Sequence, residues 1–411
     1  MSATTEIGEQ CDLFDPQSRA NPYPIYHRLR SEDPVYWSEA WGGWLLTRYS
    51  DITSVLRDPR LSAADGLNPL FDRLPRAEQE ALLPLRRHVS MWMGNLDPPD
   101  HTRIRSLMHR AFTPRLIESI RSFAQAVTDE LIDGVQGAGR MDVVRDFAYP
   151  LPAIVIGRML GSPERDMDLL YKWSDSIASF LGYGFLFTDV MWKAQETVSE
   201  MTEYLRGLVK DRRENGLQND LISSFIAAEQ QGHLIEEEIL ANCVLLLFAA
   251  HETTGIFLAN GVLALIQNRG ELEKLSRDPA LIPRAVDECL RYDCPVQMIR
   301  RFAKEDVEIG GKKIKKGEAT WAILGAANRD PERFPVPDRF DIARADNHHV
   351  GFGFGAHFCL GEALACIEGE VAFGTFFKRL PNLRLAAPAL EWVDNPTARA
   401  LKSLPVSFDP S

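Results

Sequence analysis

One cysteine in the last third of the chain has the surroundings of a metal ligand. Cys359 follows a run in which glycine recurs at residues 351, 353 and 355, and an apolar pattern with helical spacing begins soon after it. Glycine lets the backbone turn tightly and approach a flat partner closely. A cysteine just before a helix start feels the positive end of the helix dipole, which favours the thiolate that binds metals. Such a thiolate is also a ligand of haem iron.

The residues around this cysteine form a recognisable pattern. The pattern resembles the haem-binding signature of the cytochrome P450 family and matches it at every fixed position. The matching residues are Phe352, Gly353, Gly355, His357, Cys359 and Gly361. The resemblance implies haem b as the cofactor and Cys359 as the ligand of its iron. It also implies that His357 and Gly361 belong to the cofactor-binding residues.

Two other interpretations of Cys359 stay open from the residues alone. A zinc site is the rival metal site, although its candidate ligands lack the paired spacing of structural zinc sites; they are His348, His349, His357 and Cys359. The simplest alternative is a buried cysteine in a glycine-rich turn, since most lone cysteines are of that kind.

The longest uninterrupted helical pattern runs from Glu236 to about Gln267 and carries polar residues in an apolar stretch. They are Asn242, His251, Glu252, Thr253 and Thr254. Buried polar groups cost free energy unless they are partnered, so this run calls for a reason. Adjacent threonines also compete for backbone carbonyls, which predicts a local groove or kink.

Residues 249–254 resemble the acid–alcohol motif of the same family. The resemblance implies that Glu252 and Thr253 are catalytic and deliver protons during oxygen activation. Ala250 stands where the pattern commonly has glycine. Because alanine carries a methyl that glycine lacks, we expect the space beside the iron or the helix kink to differ.

A second group of residues has the properties of an anion-binding site. His101 and Arg105 are four residues apart in a helical pattern, hence on one face, where they could hold an anion such as a haem propionate. An ordinary solvated basic face is the alternative. The segment also resembles the family's propionate-binding helix, and the resemblance carries the same role to Arg301.

Three further roles concern the supporting structure and the substrate. By resemblance, Glu288 and Arg291 form a buried pair that clamps the haem-binding loop, and Arg333 is expected to join them. Arg300 precedes Arg301 in a segment that, by resemblance, lines the distal pocket. We hypothesise that it binds a substrate carboxylate, as arginine does well in partly buried sites; the alternative is an exposed arginine on a strand edge.

Composition places the chain among soluble globular proteins. Of its 411 residues 45% are hydrophobic and 25% charged, and the net charge of −12 argues against nucleic acid or an anionic membrane as the principal partner. The N-terminus lacks the basic and apolar regions of a signal peptide, and the longest nearly apolar run, Ile239 to Ala250, is too short to span a bilayer. We therefore expect a cytoplasmic protein whose six cysteines are reduced.

The order of patterns predicts a mainly α protein with a smaller β region, an α+β fold class. The strand patterns occupy about 34–60, 307–325 and 383–408. No linker or repeat interrupts the chain, so residues 1–411 are predicted to form one domain. Because the resemblance runs almost from end to end, it implies the cytochrome P450 fold.

The function implied by the resemblance is that of a haem-thiolate monooxygenase. It would insert one oxygen atom from O₂ into a hydrophobic small molecule, in secondary metabolism. No flavin, nicotinamide or iron–sulfur motif appears in the chain, so electrons are expected from a ferredoxin or flavodoxin with an NAD(P)H-dependent reductase. A peroxide-driven, desaturating or ring-coupling haem enzyme and a non-catalytic haem-binding sensor are the alternatives.

Overall fold

Most of the chain is helical in the computed structural model, which describes residues 13–64, 67–112, 114–183 and 187–410. The α-helices are α1 (Pro16–Ala20), α2 (Tyr23–Glu32), α3 (Tyr49–Arg57), α4 (Asn68–Asp72), α5 (Arg76–Ala81), α6 (Leu83–Ser90), α7 (Asp100–Ala111), α8 (Pro114–Gln136), α9 (Pro150–Leu160), α10 (Met167–Tyr183), α11 (Thr188–Asn215), α12 (Leu221–Gln230), α13 (Glu236–Gln267), α14 (Arg269–Arg277), α15 (Ile282–Tyr292), α16 (Leu324–Ala327) and α17 (Glu362–Arg379). Short 3-10 turns link several of them.

Short strands form the smaller β part of the described chain. They are β1 (Val35–Ser38), β2 (Gly43–Leu46), β3 (Leu61–Ser62), β4 (Arg140–Asp142), β5 (Met298–Ala303), β6 (Val307–Ile309), β7 (Lys312–Ile314), β8 (Ala319–Ile323), β9 (Arg384–Leu385) and β10 (Pro405–Ser407). The main sheet has the order β1-β2-β8-β5-β3, in which only the β2 and β8 pair is parallel. A second sheet has the order β4-β10-β9, and β6 pairs with β7 as a hairpin.

The predicted fold class, mainly α with a smaller β region, is confirmed. Two of the predicted strand regions contain antiparallel pairs of consecutive strands, β1 with β2 and β6 with β7. The predicted bounds of the β region are incomplete, because β3, β4 and β5 lie outside them. β3 and β4 have only two or three residues, too few for an alternating pattern, and two adjacent arginines interrupt the alternation of β5. That residues 1–411 form one domain stays a prediction.

Helix α13 lies in the core and has the bounds that its sequence pattern predicts. Three glutamates in its first turn suit the positive end of the helix dipole, and Glu238 accepts a hydrogen bond from the N–H of Ile235 at 3.2 Å. Among the described helices it is the one long and apolar enough to cross a membrane. However, 67% of its apolar window is buried inside the protein, which is typical of a core helix.

The helix that follows Cys359 packs directly on α13. A Cβ on Gly261 of α13 would lie 2.4 Å from Cζ of Phe373 of α17, so the close approach of the two helices requires glycine there. Both helices contribute to the main hydrophobic core, which includes residues from Leu70 to Phe408. This packing determines where Cys359 lies relative to the polar residues of α13.

A π-turn over Val144–Ala148 brings Tyr149 to α13. The N–H of Tyr149 donates to the carbonyl oxygen of Val144, five residues earlier, at 3.0 Å, whereas an α-turn would reach back four residues. Helix α9 begins at the next residue, Pro150, which suits the first helical position. The turn and α9 both pack against α13.

Candidate functional site

Two glycines in left-handed conformation shape the loop before Cys359. Gly353 and Gly355 both have φ of +73°, and a Cβ on Gly355 would lie 2.5 Å from the carbonyl oxygen of Leu56. The N–H of Cys359 donates to the carbonyl oxygen of Phe352 at 2.9 Å, which closes the loop. Cys359 is half-buried, and beside it Gly361 leaves the sulfur side open: a Cβ there would approach only Sγ, at 4.0 Å.

Opposing effects act on the thiol of Cys359. Burial raises its pKa and Glu362 acts in the same direction, whereas the N–H of Gly361 and the charge of Arg105 lower it. Because burial is the largest effect, the helix start alone does not make the thiolate the preferred form, contrary to the expectation from sequence. A bound metal cation deprotonates a coordinated thiol through its own charge.

Two imidazoles and two guanidiniums lie together near the cysteine loop. His101 on α7 and His357 in the loop have ring centroids 4.1 Å apart. Arg105, one turn along α7, donates from Nη2 to the carbonyl oxygen of Phe358 at 2.7 Å. Arg301 on β5 is buried and acts electrostatically on both histidines. The three side chains predicted to hold propionates, His101, Arg105 and Arg301, are thus brought into one cluster with His357, which was predicted to bind the cofactor.

Like charges in this cluster oppose one another. Burial, followed by Arg301 and His101, lowers the pKa of His357 to about 3. Burial lowers the pKa of Arg301 to about 10, although Asp97 acts to raise it. Asp97 is engaged elsewhere, since it accepts a hydrogen bond from Oγ of Ser62 at 2.7 Å. An anion placed among the four side chains would relieve their repulsion.

The haem that the resemblance implies fits these residues. Its propionates are anions, and the cluster offers them cationic and imidazole donors. Nε2 of His101 is buried without a hydrogen-bond partner among the described residues, so this nitrogen is available to such a group. The half-buried thiol of Cys359 is a ligand of the kind that holds haem iron in thiolate proteins.

The structure excludes the zinc alternative. The described part of the chain contains no group of three or more His, Cys, Asp or Glu side chains that could hold a metal ion. The side chain of His348 is 88% exposed. Nδ1 of His349 instead accepts a hydrogen bond from the N–H of Gly351 at 3.1 Å.

One side of α13 is accessible although most of the helix is buried. After the first turn of α13, the half-buried residues are Leu245, Phe248, Ala249, Ala250, Glu252 and Thr253. Oγ1 of Thr253 donates to the carbonyl oxygen of Ala249 at 2.7 Å, the kind of local bond that competes with helix bonding. The helix nevertheless continues without interruption, and Ala250 is itself half-buried. The two side chains predicted to be catalytic therefore lie on this side.

The carboxyl of Glu252 is held by a tyrosine. The hydroxyl of Tyr149 donates to Oε1 of Glu252 at 3.0 Å. Burial, and after it the charge of Asp175, raise the pKa of Glu252 to about 7, while the hydrogen bond from Tyr149 acts to lower it. A carboxyl that titrates near neutral pH can both accept and donate a proton there.

Glu288 and Arg291 form the buried pair that the sequence predicts. Arg291 donates to both carboxylate oxygens, from Nε at 2.7 Å and from Nη2 at 2.8 Å. The prediction that Arg333 joins them is wrong. Arg344 joins instead, with Nε 3.1 Å from Oε2 of Glu288, whereas Arg333 pairs at 2.7 Å with Asp346 near the surface. Arg333 and Arg344 both follow α16 in an irregular segment, where spacing does not predict partners.

Asn328 connects this pair with the cysteine loop. Its carbonyl oxygen accepts a hydrogen bond from Nη1 of Arg291 at 2.8 Å, and its Oδ1 accepts one from the N–H of Val350 at 2.8 Å. Nδ2 of Asn347 also donates to Oε2 of Glu288, at 3.2 Å. The network therefore extends from α15 to the start of the stretch that leads to Cys359.

Arg300 and Arg301 lie on opposite faces of β5, since neighbouring strand residues alternate. Arg300 is paired with Trp321 of β8, and its guanidinium carbon lies 5.0 Å from the centroid of that ring. Trp321 packs on Trp41 with ring centroids 4.8 Å apart, in a separate hydrophobic cluster. The structure thus contradicts the hypothesis that Arg300 lines a pocket beside Arg301.

Sequence spacing does not reveal two residues of the site, Tyr149 and Arg344. Tyr149 is 103 residues from Glu252 along the chain, and Arg344 is 56 residues from Glu288. Pro150 signals the start of a helix after Tyr149, but it does not indicate which way the tyrosine points.

The chain is similar to known proteins along almost its whole length. Residues 91–382 match the family model described as Cytochrome P450. Cytochrome P450 CYP107DY1 of Priestia megaterium is 38% identical over 408 residues, which cover 97% of this chain and 98% of the relative. The polyketide biosynthesis cytochrome P450 PksS of Bacillus subtilis is 37% identical over 412 residues, which cover 96% of this chain and 98% of the relative.

Solved structures share the fold over nearly the whole chain. P450BioI, in complex with hexadec-9Z-enoic acid ligated acyl carrier protein, has a TM-score of 0.89 at 37% identity and covers 96% of this chain and 99% of its own. CalO2 has a TM-score of 0.90 at 32% identity, with 97% and 98% covered. Sequence, fold and cysteine loop lead to one conclusion: the chain belongs to the cytochrome P450 family, of the soluble bacterial type, and is a monooxygenase that binds haem b.

Proposed function

We propose that this monooxygenase oxidises a hydrophobic small molecule of secondary metabolism with O₂ and takes its electrons from separate proteins. O₂, two electrons and two protons are consumed; one oxygen atom enters the substrate and the other leaves as water. The observation that carries the proposal is an acid next to an alcohol on α13, Glu252 and Thr253, which are both half-buried as residues. Groups that handle protons there favour O₂ over peroxide as the oxidant, and catalysis over haem sensing.

The cofactor is proposed to be held at two places. Haem b, bound through Cys359, supplies the activation of O₂ and the insertion of oxygen. His101, Arg105, Arg301 and His357, which lie together, would donate charge-assisted hydrogen bonds to its propionates. Burial strengthens these bonds, because the local dielectric constant is low.

Glu252 and Thr253 are proposed to have different roles in proton delivery. Oγ1 of Thr253 is directed by its bond to the carbonyl oxygen of Ala249, which orients the hydroxyl on the accessible side of α13. There it positions a proton next to the reacting oxygen. Glu252, whose pKa is raised to about 7, receives protons from the solvent side and passes them on at neutral pH.

The substrate is proposed to be an extended, largely apolar metabolite. Leu245, Phe248 and Ala249 offer apolar surface on the accessible side of α13. One relative is named for polyketide biosynthesis, and another was solved with a fatty acid carried by acyl carrier protein. Both support an acyl-type or polyketide-type substrate and a role in secondary metabolism.

Electrons are proposed to come from a ferredoxin or flavodoxin with an NAD(P)H-dependent reductase. Basic residues are exposed on an acidic protein, His109 and Arg110 side by side at the end of α7 and Arg87 on α6, which suits an acidic carrier. Arg103, also exposed on α7, is less available to bind an electron carrier, because it already pairs with Glu238 at 2.5 Å. Such carriers place the enzyme in the cytoplasm, and neither nucleic acid nor a membrane is proposed as a partner.

Two substitutions on α13 test proton delivery. Thr253→Ala is expected to consume O₂ and NADPH but to release the electrons as hydrogen peroxide, because no hydroxyl positions the proton. Glu252→Gln is expected to slow turnover about 100-fold with coupling largely kept, because an amide does not exchange protons as a carboxyl does.

The measurement compares NADPH consumed, peroxide released and product formed, with a surrogate ferredoxin and reductase and a substrate found by its shift of the Soret band. Thr254→Ala is the matched control, since Thr254 is a buried neighbour off the accessible side. Full coupling in Thr253→Ala would contradict its role. Turnover driven only by added peroxide would support the peroxide-driven alternative.

A further inference from the structure

Tyr149 makes three different contacts with α13. Its hydroxyl donates to Oε1 of Glu252 at 3.0 Å. Its ring meets that of His251 edge to face, with centroids 5.2 Å apart. A Cβ on Gly255 would lie 3.1 Å from Cδ2 of Tyr149, so the glycine leaves the space that the ring uses. Together with the π-turn over Val144–Ala148, these contacts hold the tyrosine against the acid.

The surroundings of this contact are polar although they are buried. Among the described residues, both ring nitrogens of His251 and Oε2 of Glu252 are buried without a hydrogen-bond partner. Tyr171 of α10 lies on another side of His251, with ring centroids 5.5 Å apart. Buried polar atoms are normally satisfied by protein groups or ordered water. The junction of α9, α10 and α13 is therefore suited to carrying a proton.

Asp175 of α10 links this junction with the surface. Asp175 is exposed one turn after Tyr171, on the same face of α10, a helix that packs against α13, and its charge acts on the carboxyl of Glu252. Burial and then Asp175 raise the pKa of Glu252, whereas the hydrogen bond from Tyr149 lowers it. His251 adds no charge at neutral pH, because burial lowers its pKa to about 4. Tyr149 and Asp175 thus shift the pKa of the Glu252 carboxyl in opposite directions.

We propose that Tyr149 and Asp175 are positioning residues for proton delivery: Tyr149 holds the carboxyl of Glu252 at the junction, and Asp175 guides protons to it from solvent. In each transfer, one proton leaves Glu252 toward the reacting oxygen, and one from solvent replaces it along the side of α10. Tyr149 releases the carboxyl during the transfer and binds it again afterwards. The proposal rests on the proposed function of Glu252 and adds the residues that govern its protonation.

Infrared titration of the resting holoenzyme tests this without turnover. The band of the protonated Glu252 carboxyl is the one that Glu252→Gln lacks. Tyr149→Phe removes a hydrogen bond that favours the carboxylate, so the midpoint of this band is expected to rise by about one pH unit. Asp175→Asn removes a charge that disfavours the carboxylate, so the midpoint is expected to fall.

Two further variants complete the test. Asp168→Asn is the matched control, because Asp168 is an exposed acid seven residues earlier on α10 that acts on Tyr171. It is expected to leave the midpoint unchanged. Gly255→Ala places a methyl against the ring of Tyr149 and is expected to raise the midpoint, as Tyr149→Phe does. Shifts of Tyr149→Phe and Asp175→Asn in the same direction, or no shift in either, would overturn the proposal.

The pH dependence of turnover is the second readout. A proton donor has to be protonated, so the rate is expected to fall as pH rises through the midpoint of Glu252. This falling limb should move to higher pH in Tyr149→Phe and to lower pH in Asp175→Asn. If the infrared midpoints shift as expected but the pH profiles of the rate do not move, Glu252 is not the proton donor. The proposed role of Glu252 in turnover would then be wrong, although Tyr149 would still be shown to hold its carboxyl.

Discussion

As the proposed ligand of the haem iron, Cys359 is expected to determine which chemistry the protein performs. Thiolate sulfur donates more charge to haem iron than oxygen or imidazole does, and this donation favours cleavage of the O–O bond. The surrounding groups prepare the site in other ways. Arg105 donates a hydrogen bond to the carbonyl oxygen of Phe358, directly before the cysteine, and so joins the cluster of histidines and arginines to the cysteine loop.

Cys359→Ser is expected to abolish the thiolate-type spectrum of the reduced carbon monoxide complex, together with turnover. The hydroxyl of serine donates less charge to the iron than the sulfur does. Cys366→Ser is the matched control, since Cys366 is also half-buried but lies within α17. A Cys359→Ser protein that kept the spectrum and the activity would show that another residue ligates the iron.

Single residues are predictable from sequence when their partners are close along the chain or their types belong to a motif. His101 and Arg105 share a face of α7, as their spacing of four predicts. Tyr149 was not predictable in this way. Its direction depends on a π-turn, and the residue it contacts is far away in sequence.

At the scale of elements, α15 and the irregular segment after α16 act together as a clamp on the cysteine loop. Glu288 is completely buried, and its carboxylate accepts hydrogen bonds from two arginines, from Asn347 and from the N–H of Asp341 at 2.8 Å. Burying a charge is costly, and several donors are needed to offset that cost. The clamp therefore depends on every donor being in place.

Arg344→Ala is expected to lower the free energy of unfolding by about 2–3 kcal/mol, because it removes a donor from a buried carboxylate. Arg333→Ala is the matched control and is expected to cost about 1 kcal/mol or less, since its partner Asp346 is 64% exposed. Urea denaturation of both holoproteins, followed by haem absorbance, measures the difference. Equal losses of stability would contradict the assignment of Arg344 to the clamp.

The long apolar core helix was predictable at both ends, whereas short or irregular elements were not. Helix α13 has both of its predicted ends, because a long apolar pattern and the acids of its first turn mark it. The strand pair β2 and β8 joins residues 43–46 to residues 319–322. Such a pairing depends on packing across the whole chain, and no local pattern contains it.

For the whole molecule, one acid inside the core matters for stability. Glu368 of α17 is 1% exposed, and its Oε2 has no hydrogen-bond partner among the described residues. Burial raises its pKa well above the usual 4.5, so the carboxyl is neutral in the folded protein at pH values where the unfolded chain ionises it. Its contribution to stability is therefore present below about pH 4.5 and is lost as pH rises toward the folded-state pKa.

Glu368→Gln is expected to raise the midpoint of urea denaturation at pH 8 and to have less effect at pH 5. Glutamine stays neutral, so the variant avoids a loss of up to about 1.4 kcal/mol per pH unit. Glu370→Gln is the matched control on the same helix, where Glu370 pairs with Arg121 at 2.8 Å at the partly exposed surface. A pH-independent difference between Glu368→Gln and the unsubstituted protein would show that Glu368 is not held neutral by burial.

The π-turn over Val144–Ala148 has a consequence for how relatives of this protein diverge. It contains one residue more than the α-turn that could replace it, so gaining or losing a residue between β4 and α9 rotates position 149 by about 100° about the helix axis. A descendant could keep every side chain discussed above and still lose the tyrosine from the acid through a single deletion. Inheritance of this contact depends on segment length as much as on residue identity.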